Sequence, residues 1–474
     1  MSTLGCGRAP VVLRIHVVRQ GGHHYYVQDM IPGRAEGGLV AGEEPGRWLG
    51  AGSTALGLSG PVGSPDFAEV LEGRHPWSGQ ALRRSQGERS AAGYDLTFSA
   101  PKSVSLLHLL APREMAVAAG TGHHVAVADA LDYLGRVGIG VRRSRRGQVA
   151  FLSSTGPVAG AFLHRTSRAL DPHLHTHVVV ANVAEGVDGV WSGVDSRRLH
   201  AHLGAAQSLY HARLRFELGH RMGAAWEVRS SGMGDVIGVE GGLRRLFSRR
   251  TASMDEYLHR RPGPGPGATR TVAAFHADRP DKDRTVTVEN LIGEWRQRAS
   301  DFGFDLGDLT RAVGPHRKDP VPAIDPAGLR RKLEALSREH RAVARQDLVA
   351  AVASSSPSGG VGRDVESAAT RLWDSCGPPE GRAGSDRGTP GSLGPRWDRD
   401  RVDRVVRLAE SGRLGRSSGP LERASGEKGH PGPASGPPGP GRGARPGLDV
   451  PVAPGHLRRL APRTVLAPSL GAER

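Results

Sequence analysis

Thiol chemistry is almost missing from this chain. Its 474 residues include 2 cysteines, Cys6 and Cys376, at opposite ends. That excludes a disulfide framework and a thiolate metal centre. No apolar run reaches the roughly 20 residues that span a bilayer. The N-terminus carries Arg8 but no apolar stretch leading to a small-residue cleavage site, so it is not a secretory signal. The expected location is cytoplasmic, with no membrane partner. The phosphate-loop pattern Gly-x-x-x-x-Gly-Lys-Ser/Thr is absent, and Gly426-Glu-Lys-Gly does not replace it; ATP is not expected to take part. The His-Glu-x-x-His of zinc peptidases is absent too. Acidic residues are outnumbered, 48 against 64 Lys and Arg, for a net charge of +16. A polyanion is the partner such a balance fits, nucleic acid before an acidic membrane.

Apolar residues make up 37% of the chain, beside 67 Gly and 34 Pro, so part of it cannot build a core. Three segments are expected: a lead-in over residues 1–10, a folded domain over 11–350, and a low-complexity, mostly disordered tail over 351–474 with a short helix near Arg401–Leu414. Within the domain, Val11–Val18, Tyr94–Ser99, Gln148–Ser153 and His177–Ala184 read as strands. Asp66–Leu71, Lys102–Leu110, His123–Gly135, Arg198–Leu218, Leu243–Leu258, Val288–Phe302 and Leu329–Val352 read as helices. Pro101 suits the entry to one of them, where a missing N–H costs nothing.

The most informative run is Phe162-Leu-His164-Arg-Thr-Ser-Arg-Ala-Leu-Asp171-Pro-His173-Leu-His175-Thr-His177. It leads into the β-branched stretch from Val178, a buried strand by its composition. Residues two apart on a strand share a face, so His173, His175 and His177 project together, and His164 can fold back beside them. Converging imidazoles make a metal site. With thiolates absent, three imidazoles leave coordination positions open, as a catalytic metal requires. Spacing alone does not separate His173 from the others. Tyr25-Tyr26, after the first strand, supplies phenols, which attack phosphate and hold it as a covalent ester once a base or a metal's field lowers their usual pKa of about 10.

Asp95-Leu-Thr-Phe-Ser-Ala-Pro-Lys102-Ser, the run through His164 and the three-histidine run resemble the conjugative relaxases of the MobF class, within the HUH endonucleases. Trp48-Leu-Gly-Ala-Gly, Leu56-Gly-Leu-Ser-Gly60 and Phe247-Ser-Arg-Arg250 are similar to further segments of that family, in the same order, over roughly residues 11–350. The resemblance implies an α/β (α+β) fold: an antiparallel sheet flanked by helices, with the histidine strand central and the tyrosines over it. It implies a divalent metal on His164, His175 and His177, with His173 outside the ligand set; Mg²⁺ or Mn²⁺ is expected, and other ions that imidazole favours, zinc and nickel among them, stay open. It places a carboxylate that orients an imidazole at Asp95 and the nucleophile at Tyr25 or Tyr26, Tyr25 being favoured. The implied reaction is site- and strand-specific nicking at a plasmid transfer origin through a 5′-phosphotyrosyl intermediate. The implied partner is single-stranded DNA beside a hairpin, with relaxosome accessory proteins. Lys102, Arg213, Arg249 and Arg250 are the candidate phosphate contacts.

The chain departs from that family in carrying one tyrosine pair where many members carry two, and in lacking a helicase phosphate loop. Two other readings stay open: a metal-dependent hydrolytic nuclease in which water attacks, and a non-catalytic remnant that only binds single-stranded DNA.

Overall fold

A computed structural model describes residues 13–20, 44–84, 87, 90–249, 287–314, 324–338, 343–375 and 397–411. Its central element is a five-stranded sheet built from β1 (Leu13–Arg19), β2 (Arg47–Leu49), β3 (Ala91–Ser99), β6 (Ala159–Thr166) and β7 (Pro172–Ala181), in the order β1-β3-β7-β6-β2. Every neighbouring pair is antiparallel. The strands β4 (Gly140–Arg145) and β5 (Gln148–Ser153) form a separate two-stranded ribbon. The helices that matter below are α1 (Ser64–Glu72), α2 (Lys102–Leu110), α3 (Arg113–Tyr133), α4 (Ser196–Met222), α5 (Val288–Asp301), α6 (Pro326–Arg338), α7 (Arg345–Ser354), α8 (Gly362–Ser375) and α9 (Arg399–Glu410).

Strand alternation decides which side chains meet. On β3 and β7, Tyr94, Leu96, Phe98, Leu174, Val178 and Val180 share one face and are buried in the main core with residues of α2, α3 and α4. Each large aliphatic or aromatic side chain taken from water there stabilises the fold by about 2 kcal/mol. The opposite face is divided. At one end Val179 and Ala181 join Val18, Phe162, Trp48 and the α1 residues Phe67 and Val70 in a second core, with Phe67 edge-on to Phe162 at a centroid distance of 5.3 Å. At the other end the same face carries His173, His175 and His177 from β7, and Asp95, Thr97 and Ser99 from β3.

The strand with the histidines begins at Pro172, where proline is tolerated because the first residue of a strand needs no ladder N–H. It is central, with all three histidines inside it. His164 lies on β6, which the sequence leaves as a connection. The helix expected over Leu329–Val352 is two helices, α6 and α7. Order also continues past residue 350. Val365, Ala368, Ala369 and Leu372 of α8 recur at helical spacing and are buried, and α9 buries Val402, Val405 and Val406; short apolar faces suffice for docked helices although the surrounding composition is poor. The rest of the expected tail, and the lead-in, lie outside the described residues.

The C-terminal helices are fastened to α4. Arg215, buried at 1% exposure, donates to the carbonyls of Gly232 at 2.6 Å and of Ala353 and Ser356 at 3.0 Å. Burial lowers its pKa to about 10. Gly359 passes α4 so closely that a Cβ there would collide with the Ala212 carbonyl, and its φ of +77° suits glycine alone. Asp129 of α3 caps the first residue of α8, accepting from the Gly362 N–H at 2.8 Å. Among the described residues no helix is long and apolar enough to cross a membrane.

Burial holds two core imidazoles neutral. His211 is lowered to about 3 by desolvation and then by Arg215, and His123 is lowered well below its ordinary value, again first by desolvation. The unfolded chain takes up protons on these groups near pH 6.5, while the folded chain does not, so stability falls as pH falls from about 6.5 toward the folded values. The loss is of the order of 1 kcal/mol per pH unit per group. Urea midpoints at pH 7 and pH 5 measure it, and a midpoint that does not move between them excludes buried neutral histidines.

Candidate metal centre

The register of β6 against β7 pairs His164 with His175 and Phe162 with His177. Paired residues share a face, so His164 lies beside His175 and diagonal to His177. The three ring centroids form a near-equilateral triangle: 5.3 Å between His164 and His175, 5.1 Å between His164 and His177, and 5.2 Å between His175 and His177. One nitrogen from each lies within 4.8 Å of the others, the one such histidine or carboxylate group of this kind found among the described residues.

Two of the rings have their tautomer dictated by acceptors. His175 Nδ1 lies 2.9 Å from the carbonyl oxygen of His173. A carbonyl only accepts, so Nδ1 carries a hydrogen, and in the neutral ring Nε2 keeps its lone pair. His177 Nδ1 lies 2.9 Å from both oxygens of Asp95, with the same consequence. Asp95 is 4% exposed and is contributed by the neighbouring strand β3. A carboxylate behind an imidazole fixes the ring and makes its free nitrogen a stronger donor to a cation. The donor set, three imidazole nitrogens with a buried carboxylate behind one of them, fits a divalent cation and leaves coordination positions for a substrate.

His173 shares the face, and its ring stands 4.5 Å from that of His175, but its nitrogens are not in the cluster. Its carbonyl is what orients His175. Burial, then His175, then the cations of Lys102 and Arg14, push its pKa well down.

The turn leading into β7 is tightly held. Leu170 adopts φ +54°, a conformation costly for a branched side chain. Trp295 of α5 donates to its carbonyl at 2.9 Å. The next residue, Asp171, is 1% exposed and accepts from Arg249 N at 2.9 Å, Arg249 Nε at 2.8 Å and Arg298 Nη1 at 3.4 Å. These partners offset the strain and fix where β7 starts, hence which residues face the cluster.

The expected phosphate contacts fare differently. Lys102 is drawn inward: Nζ donates to the Pro172 carbonyl at 2.6 Å, and burial lowers its pKa to about 8 against the opposing charge of Asp171. Arg213 pairs with Glu217 at 2.8 Å and approaches Asp129 at 3.7 Å, in the α3–α4 layer behind the sheet. Both charges serve the fold. Arg249 is bound to Asp171 yet remains half exposed, at the rim of the centre. Tyr25, Tyr26 and Arg250 lie outside the described residues.

Two side chains were passed over in the sequence. Arg14 and His16 of β1 pair in register with Thr97 and Asp95, on the histidine face, and both are exposed. Their signal is the alternation Leu13-Arg-Ile-His-Val17, whose apolar members face the main core and whose polar members face the centre.

A family model described as TrwC relaxase matches residues 16–302, more than half of the chain. The multifunctional conjugation protein TraI of Escherichia coli is 33% identical over 299 residues, which is 61% of this chain and 16% of TraI. The corresponding protein of strain K12 is 32% identical over 278 residues, 56% of this chain and 15% of that protein. The match thus spans about one sixth of the length of these curated relatives. Among solved structures, conjugative relaxase TrwC in complex with oriT DNA gives a TM-score of 0.54 both metal-free and metal-bound, at 29% and 30% identity, covering 62% of this chain and 99% of that one.

Asp95→Asn keeps the side-chain shape but removes the charge behind His177. It is expected to weaken Mn²⁺ binding by about 10- to 100-fold, measured by calorimetry on the full chain. Unchanged affinity would mean that the carboxylate does not govern the His177 ring.

Proposed function

From its membership of the TrwC relaxase family, we propose that this chain is a metal-dependent DNA-nicking enzyme that cuts one strand at a plasmid transfer origin and stays joined to the 5′ end through a tyrosine. The observation that carries the proposal is the convergence of His164, His175 and His177 with Asp95 behind His177, on a sheet of the kind found in this family. Solved TrwC structures in complex with oriT DNA, including one with a 27-mer comprising the recognition hairpin and the cleavage site, support single-stranded DNA beside a hairpin as the substrate. Accessory proteins of the transfer machinery are proposed partners.

A divalent cation held by the three histidines, Mg²⁺ or Mn²⁺, supplies charge neutralisation at the scissile phosphate. The chain's own groups do the rest. Asp95 keeps His177 in one orientation, and its carboxylate accepts the phenolic proton of Tyr25, with Tyr26 the second candidate. The phenolic oxygen forms a bond to phosphorus as the bond from phosphorus to the 3′ oxygen breaks. The 3′ oxygen leaves as a hydroxyl, taking a proton back from the acid. One phosphoester replaces another, so the step is reversible and needs no ATP.

Arg14 and His16 extend the site along the sheet. They lie two strands from His177, and strands are spaced by about 4.8 Å, so they stand roughly 10 Å from it. That separation suits a neighbouring phosphate of the same DNA strand. Arg249 at the rim and Arg250, which lies outside the described residues, are the remaining candidates of those read from the sequence.

The decisive experiment incubates the full chain with a single-stranded origin oligonucleotide and Mn²⁺, followed by a denaturing gel. A protein–DNA adduct that disappears in the Tyr25→Phe/Tyr26→Phe double variant is expected. Cleavage with no adduct would establish a hydrolytic nuclease instead, and binding without cleavage at any metal concentration a non-catalytic remnant. Arg14→Ala is expected to weaken oligonucleotide binding and to reduce the slope of log K against log salt by about 0.7, the value of one phosphate contact on single-stranded DNA. An unchanged slope removes Arg14 from the DNA path.

A further inference from the structure

Behind the metal centre, the core face of β7 contains one polar side chain. Thr176 sits between the ligand residues His175 and His177 but points the other way, flanked on its own face by Leu174 and Val178. Its Oγ1 lies 2.8 Å from His123 Nε2, and His123 Nδ1 lies 2.8 Å from the Tyr210 hydroxyl. Thr176 is 3% exposed, His123 0% and Tyr210 1%. His123 belongs to α3 and Tyr210 to α4, so the chain of hydrogen bonds runs from the ligand strand across both helices of the layer behind it. Phe98 of β3 packs on Tyr210 with a centroid distance of 5.5 Å.

A neutral imidazole offers one donor and one acceptor, and each hydroxyl can do either. All three groups are therefore satisfied, which is the condition under which a buried polar network rigidifies its surroundings. Apolar side chains would fill the same space without the desolvation cost, so packing alone does not account for three polar groups here. What the network adds is direction. A hydrogen bond of this length tolerates little displacement, and metal ligation tolerates about 0.2 Å. Thr176 shares its backbone with both neighbours, so fixing its hydroxyl fixes the height and twist at which His175 and His177 leave the opposite face.

We propose that Tyr210, His123 and Thr176 are positioning residues: a buried hydrogen-bonded relay that holds β7 against α3 and α4 so that His175 and His177 meet His164 at ligand distance. The proposal rests on the reading of the three histidines as a cation site.

Calorimetric titration of the full chain with Mn²⁺ tests both, and separates them. Wild type is expected to bind, and His164→Ala to lose binding; failure of either overturns the cation site itself. With those in place, Thr176→Val, which removes the hydroxyl at nearly constant volume, is expected to raise the Kd about tenfold, in the range for groups that orient ligands. Thr176→Ser, which restores the hydroxyl, is expected to return it to near the wild-type value. A Thr176→Val protein that is less heat-stable yet binds Mn²⁺ as tightly as wild type overturns the relay, since a structural role alone moves only the former. Equal loss in the Val and Ser variants also overturns it. If circular dichroism shows that Thr176→Val does not fold, Tyr210→Phe carries the test: weakened Mn²⁺ binding supports the relay, and unchanged binding overturns it.

Discussion

Everything at the metal centre depends on the two-residue alternation of β7. The strand is pinned on its inner face by Leu174, Val178 and Val180, which are fully buried, and a slip of one residue would drive histidines into the apolar layer and valines into the cluster. That penalty is several buried side chains at once, at about 2 kcal/mol each, far more than a single hydrogen bond contributes. Core packing therefore chooses the register. The hydrogen bonds that the rings donate to the His173 carbonyl and to Asp95 act within it, turning two rings whose position is already decided. The clamp on Asp171 acts at the strand's entrance, beside Leu170 and Trp295.

The same division of labour explains what could be read from the residues. The three-histidine spacing and the β-branched run of Val178–Val180 reveal a strand and a face, because alternation is a local property. His164 was harder to place. Ala159–Thr166 contains Gly160 and the polar run His-Arg-Thr, and only pairing with β7 makes it a strand. Asp95 came from a motif rather than from its chemistry, since nothing local says that a carboxylate on β3 will meet an imidazole 82 residues away. The cations were the weakest point. Lys102 and Arg213 look like free charge in sequence, but their partners, the Pro172 carbonyl and Glu217 with Asp129, are revealed by the fold. Net charge says that a chain is basic, and it says little about which cations remain on the surface. Arg14 and His16 show the converse: they stand next to apolar residues of an edge strand, and only the cross-strand register identifies the centre they face.

A buried polar network and an exposed cationic edge lie on opposite sides of one sheet, and they answer different needs. The side behind the histidines is a buried apolar layer, in which Thr176, His123 and Tyr210 pair with one another. The side with the histidines carries the groups that can accept a partner. A sheet about one residue thick separates the two environments at the histidine end of β7, because successive side chains on a strand point to opposite faces.

Arg215 draws a different kind of boundary. The relaxase family model matches residues 16–302, yet two of the three carbonyls that accept from this guanidinium belong to Ala353 and Ser356. A cation enclosed in apolar surroundings without its acceptors is far costlier than a solvated one. The stretch matched by the family model and the stretch that must fold together are therefore not the same length: packing carries the second at least another fifty residues along this chain.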